Sequence, residues 1–144
     1  MHMVRVIINF VFAALLPIGG CSIGLNDNSL SFITPNGVSI LLEEGVGTLL
    51  DSDAEVVIVD PRPTWSYGKG HIPGALNIPF GQLNVHAWKL EGAGVIIVAG
   101  ETHNDSVAIA MSKRLIRLGF TDVKTLRGGL TGWEDAGNAV VTAE

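Results

Sequence analysis

Apolar residues follow three rhythms along this chain. The first is a nearly unbroken run, Val6-Ile-Ile-Asn-Phe-Val-Phe-Ala-Ala-Leu-Leu16, broken once by Asn9. The second is helical. Val38, Leu41, Leu42, Val46, Leu49 and Leu50 recur at helical spacing behind Thr34-Pro35, an N-cap residue followed by proline in the first turn. Gly45 and Gly47 interrupt that pattern and weaken it. The third rhythm is the short continuous run: Val56-Val-Ile-Val59, Val95-Ile-Ile-Val98, and a weaker one from Val123 to Leu126. Runs of this kind suit strands of a parallel sheet covered on both faces. Between the second and third runs lies the clearest helix, Asp105 to Leu118. There Val107, Met111, Leu115 and Leu118 share a stripe, Lys113, Arg114 and Arg117 face away, and Gly119 ends the pattern. Strands alternating with helices predict an α/β domain with a central parallel sheet flanked by helices. A ligand would then sit at loops beyond the C-terminal ends of the strands.

The apolar N-terminal run has one basic residue before it, Arg5, and Pro17-Ile-Gly-Gly-Cys21 after it. These are the parts of a secretory signal: positive start, apolar middle, small residues before a cleavage point. Ile18-Gly19-Gly20-Cys21 resembles the bacterial lipobox. That resemblance implies cleavage after residue 20, acylation of Cys21 and an exported, membrane-anchored lipoprotein on the periplasmic face. Ser22 in place of Asp implies the outer membrane. A plain cleaved signal and an uncleaved anchor are the alternatives, although the run is short of the roughly 20 residues a span needs. All three place the domain outside the cytosol. The expected organisation is a signal at 1–20, a tether at 21–33 containing Asn26-Asp27-Asn28-Ser29, and one domain at 34–144.

Composition narrows the functional classes. The chain has 144 residues, 47% hydrophobic and 16% charged, enough for one well-packed core. Its net charge is −5, and removal of residues 1–20 takes away only Arg5 and leaves −6. An acidic domain with scattered Lys and Arg lacks the footprint of nucleic-acid binding. His71, His86 and His103 are far apart and no cysteine can join them, so no metal-ligand spacing is visible and no cofactor is expected.

Two separated stretches carry a further resemblance. Residues 56–80 read VVIVDPRPTWSYGKGHIPGALNIPF: an apolar strand, Asp60-x-Arg62, the aromatic Tyr67, then Gly70-His71-Ile72-Pro73-Gly74-Ala75. Residues 118–140 supply Leu118-Gly-Phe120, Val123, Leu126-x-Gly128-Gly129, Trp133 and Ala136-Gly137. Together they resemble the rhodanese-like domain family, over Thr34 to Val140. The resemblance implies a three-layer α/β fold. The residues themselves read mostly as structural. Asp60 and Arg62, two apart at a strand end, suit a hydrogen-bonded pair. Gly70, Pro73 and Gly74 suit a tight turn. His71 reads as a hydrogen-bonded residue holding that turn rather than a base. Tyr67 and Trp133 read as core, and Thr131 to Glu134 fits a capping box.

Active members of that family carry a cysteine at the start of the loop after the strand equivalent to Val95–Val98. Inward-pointing N–H groups and a helix N-terminus support its thiolate, which carries a persulfide. Here the only cysteine of the chain is Cys21, and the loop reads Ala99-Gly-Glu-Thr-His-Asn-Asp-Ser106. Gly100 or Ala99 occupies the cysteine position, depending on loop length. Asn104 or Asp105 stands where a basic residue is common, and Glu101 and Asp105 add negative charge. The resemblance therefore implies a domain without catalytic residues, acting as a binding or structural module. Its loop, Gly100, Glu101, Thr102, His103, Asn104 and Asp105, would meet a protein or a small ligand. The alternative is sulfurtransferase activity using Thr102, His103 or Glu101, or a thiol supplied by a partner. A third reading is cation binding by Glu101, His103 and Asp105.

Overall fold

The structure, a computed structural model, describes residues 29–44 and 55–143. Residues 1–20, read as a signal, and Cys21, Val46, Leu49 and Leu50 lie outside the described residues. Among the described residues, five strands and five α-helices follow one another as β1 (Ser31–Ile33), α1 (Pro35–Glu44), β2 (Glu55–Asp60), α2 (Thr64–Lys69), β3 (Leu76–Asn77), α3 (Leu83–His86), β4 (Ala93–Val98), α4 (Ser106–Arg117), β5 (Val123–Leu126) and α5 (Gly129–Asp135). Short 3₁₀ turns at Phe80–Gln82 and Ala87–Leu90 flank α3. The strands form one sheet in the order β1-β5-β4-β2-β3, and every pairing is parallel.

The continuous apolar runs form strands because both faces of the sheet are covered. In register, Val57 pairs with Ile96, Ile58 with Ile97 and Val59 with Val98. Side chains alternate between faces along each strand. Ile58, Val95 and Ile97 pack with Val38 of α1 and with Leu130 and Trp133 of α5. Val57, Val59, Ile96 and Val98 pack on the opposite face with Leu83 of α3 and Met111 and Leu115 of α4. The result is a three-layer α/β domain, as the sequence pattern predicts. No helix among the described residues is long and apolar enough to cross a membrane.

Thr34 caps α1 as expected, its hydroxyl accepting from the Gly37 N–H at 3.2 Å. Several finer expectations differ. Residues 31–33, read as the end of the tether, form β1, an edge strand paired with β5 over Ser31↔Lys124 to Ile33↔Leu126. Three residues are too few for strand periodicity to show. The buried stripe of α4 is Ala108, Met111, Ser112 and Leu115, whereas Val107 and Leu118 are exposed. The small residues Ala108 and Ser112 hide the true stripe, because Ser112 is buried through a 2.8 Å hydroxyl pairing with Thr125. Leu42 of α1 is likewise exposed.

Candidate functional site

The C-terminal ends of β2 and β4 are neighbours, and the chain leaves both toward the same rim. Asp60 closes β2 and is 3% exposed, and Arg62 is 5% exposed. The Asp60 carboxylate accepts from the Arg62 backbone N–H at 2.9 Å and from its Nη2 at 2.6 Å, with Nε within 3.0 and 3.1 Å of the two oxygens. Nη2 also donates to the Gly70 carbonyl at 2.7 Å, which ties the strand end to the next turn. The remaining arm, Nη1, reaches across to the loop after β4 and donates to Glu101 Oε2 at 2.7 Å. Ser66 Oγ donates to the same oxygen at 3.4 Å. Burial opposes the charge of Arg62. The hydrogen bonds to Asp60 and Glu101 and their negative charges outweigh it, and the guanidinium is held above its usual range.

His71 is buried. Its Nδ1 lies 3.0 Å from the Tyr67 carbonyl oxygen, its ring stacks on Tyr67 at 3.7 Å, and its backbone bridges to Val141. The Tyr67 hydroxyl donates to the Ala75 carbonyl at 2.8 Å. Burial, and then the Asp60 charge, push that phenol above its ordinary 10.0. Trp133 is in the core, and its indole N–H donates to the Ala139 carbonyl at 2.8 Å.

In the loop after β4, Ala99 still belongs to the sheet. It is buried, and its N–H donates to the Val59 carbonyl at 2.9 Å. Gly100 faces the loop interior. A Cβ built there would lie 2.7 Å from Asp105 Cγ and Oδ2 and 2.9 Å from Ala108 Cβ. Asp105 is the N-cap of α4, and its carboxylate turns inward. Oδ1 accepts from the Val107 and Ala108 N–H groups at 2.8 and 3.1 Å, and Oδ2 accepts from the Glu101 N–H at 2.7 Å. Three backbone donors therefore converge on a carboxylate of the loop itself. The outer wall comes from α5. Leu130 N–H donates to the Gly100 carbonyl at 2.8 Å, and Thr131 N–H and Oγ1 donate to the Glu101 carbonyl at 3.0 and 3.1 Å. Gly129, at φ +58°, makes this approach feasible, since a Cβ there would stand 2.6 Å from the Gly100 oxygen. Gly128 is the N-cap of α5, so the capping box expected at Thr131 is not formed. Thr131 lies inside the helix and spends its hydroxyl on the loop.

Thr102, His103 and Asn104 form the exposed tip, with Asn104 in the left-handed region at φ 57°. Glu101 turns to Arg62 and Asp105 turns inward, so the three residues considered for a cation do not converge. Among the described residues no group of three or more His, Cys, Asp or Glu is placed to hold a metal ion. Sequence reasoning missed the Arg62–Glu101 bridge and the inward turn of Asp105. The signal for the latter was present, because an Asp directly before a helical pattern is an N-cap candidate. It also missed a cleft of about 150 Å³ between the loop tip and the ends of β1 and β5.

Comparison with known proteins agrees with this architecture. The rhodanese-like domain family matches residues 46–136. The thiosulfate sulfurtransferase GlpE of Pseudoalteromonas translucida is 33% identical over 88 residues, 61% of this chain and 81% of that protein. An HTH-type transcriptional regulator of Mycobacterium tuberculosis is 39% identical over 83 residues, 58% of this chain and 36% of the regulator, so only a minor part of that protein is represented here. The rhodanese-like domain from an Anabaena protein superposes with a TM-score of 0.64 at 26% identity, covering 78% of this chain and 79% of that structure. The family match over residues 46–136, more than half of the chain, together with the parallel sheet it superposes on, leads to one conclusion: this chain belongs to the rhodanese-like domain family.

Proposed function

We propose that this is a rhodanese-like domain without sulfur-transfer activity, held at a membrane through an acylated Cys21 and used outside the cytosol as a binding or structural module. The inward carboxylate of Asp105 carries this reading. Persulfide chemistry needs a thiolate in the centre of the loop, surrounded by anion-stabilising donors. Gly100 or Ala99 stands where the nucleophile would be, and the Glu101, Val107 and Ala108 N–H groups are already occupied by Asp105. The arm of Arg62 that reaches the loop is occupied by Glu101. An incoming anion would meet no thiol in the loop and would compete with Asp105 for three of its backbone donors. The test is a thiosulfate:cyanide sulfur-transfer assay on the purified protein, with turnover at the level of a buffer blank expected. Clear turnover refutes the reading. Mass spectrometry of the mature N-terminus tests the anchor, and an unmodified Cys21 would remove it.

The likeness to GlpE, a thiosulfate sulfurtransferase, supports a second reading, sulfur transfer through other loop residues or a partner's thiol. Transfer through loop residues requires Glu101→Ala or His103→Ala to abolish a measurable rate. Equal rates in wild type and both variants would end it.

A further inference from the structure

The loop after β4 has two flanks. Because the sheet order is β1-β5-β4-β2-β3, one flank faces the β2 exit, with Arg62, Ser66 and Glu101. The other faces the ends of β5 and β1 and holds the cleft of about 150 Å³. Nothing in the chemistry described so far uses it. Its floor is apolar, formed by Phe32, Ile109 and the buried Leu126. Its mouth is polar. His103, Asn104 and Arg127 border it, and among the described residues their side chains make no hydrogen bond or ion pair. The Arg127 guanidinium lies 5.6 Å from the centre of the Phe32 ring, with its charge beside the apolar floor. An apolar floor with a few polar groups free of hydrogen bonds at its mouth is the usual form of a small-ligand site.

Size and charge narrow the ligand. A cavity of this volume accommodates a molecule about the size of benzene. Arg127 is the cation at the mouth. The acidic wall residue, Asp105, has its carboxylate turned to three N–H groups at the start of α4, which offsets its charge toward the cleft. We infer that this cleft binds a small organic monoanion with a flat apolar body, its carboxylate on Arg127 and its apolar face on Phe32 and Ile109. The inference deepens the binding-module reading by naming a ligand class. It stands on the cleft alone and does not need the loop to be inactive.

The test is calorimetric titration of the full-length protein in detergent with benzoate, benzyl alcohol and benzylammonium, with amide chemical shifts recorded in parallel. Benzoate should bind, shifting the amides of Phe32, Asn104 and Arg127, while the neutral and cationic analogues bind at least tenfold more weakly. Arg127 is exposed, so Arg127→Gln should keep the fold and weaken benzoate by about tenfold or more, the cost of losing a charge-assisted contact. Arg127→Lys should restore part of the loss. Absence of benzoate binding at 10 mM (about the weakest affinity worth calling a site), equal binding of the three probes, or an unchanged affinity in Arg127→Gln would each overturn the inference. The sulfur-transfer assay reads separately: turnover there would remove the proposed function and leave the benzoate titration as it stands.

Discussion

Strands β2 and β4 run side by side in register, and the end of β2 and the loop after β4 each place a carboxylate at the rim. The two carboxylates are neutralised in different ways. Asp60 is matched by a side chain, the guanidinium of Arg62 two residues on, in a nearly dry environment. Asp105 is matched by backbone alone, through three N–H groups contributed by both ends of its loop. The first arrangement is a frame that persists as long as both partners are present. The second depends on the loop's path, and that path in turn requires a glycine at position 100. One exit is thus held by an ion pair between side chains, whereas the other is built around an internal anion held by backbone.

The contrast can be broken at its strongest point first. Asp60→Ala strands the Arg62 charge in the core, and the expected loss is about 3 to 5 kcal/mol, read by urea denaturation. A loss below about 1 kcal/mol would mean that Glu101 alone can hold the guanidinium. At the other exit, Gly100→Cys forces a Cβ against the Asp105 carboxylate and should cost about 1 to 3 kcal/mol. Gly100→Cys combined with Asp105→Ser should recover most of that loss, and strict additivity in the double-mutant cycle would show that the two positions do not meet. Asp105→Ala alone removes a cap with one extra donor, for which about 1 to 2 kcal/mol is expected, with faster hydrogen exchange at Glu101, Val107 and Ala108. Glu101→Gln should cost less than about 1 kcal/mol and should matter least in high salt, because the Glu101 side chain is 52% exposed.

The smallest effect concerns pH. The phenol of Tyr67 is held above its ordinary 10.0 in the folded state, so folding favours its protonated form. That contribution is complete below about pH 10 and is lost as pH rises through the folded value. Tyr67→Phe should therefore flatten the alkaline fall of stability in denaturation curves between about pH 9 and 11. Parallel curves for the two proteins would place the alkaline sensitivity elsewhere.

The sheet was legible because its strands are continuous apolar runs, and nothing but burial on both faces explains Val56–Val59 or Val95–Val98. The Asp60–Arg62 pair was legible because both partners lie in one short stretch. The side chains of His71 and Trp133 also find their partners within about ten residues, at Tyr67 and Ala139. What could not be read were contacts joined only by the folded path. Arg62 meets Glu101 across 39 positions and Thr131 meets Glu101 across 30. Short polar substitutes also misled. Ser112 is buried where periodicity favoured Val107, and Thr131 resembled a cap while sitting inside a helix.

The pairing of β1 with β5 has a consequence for how the chain comes together. Residues 31–33 find their partners only at 124–126, and the Arg127 N–H then closes onto the Ile33 carbonyl at 2.8 Å. The wall of α5 against residues 100 and 101 arrives later still. Contacts this distant in sequence must wait for the intervening chain, and the loop-closure entropy falls due at the end. A growing polypeptide thus leaves the sheet edge open until residues 124–127 have emerged and the β4 loop open until residues 130 and 131 follow.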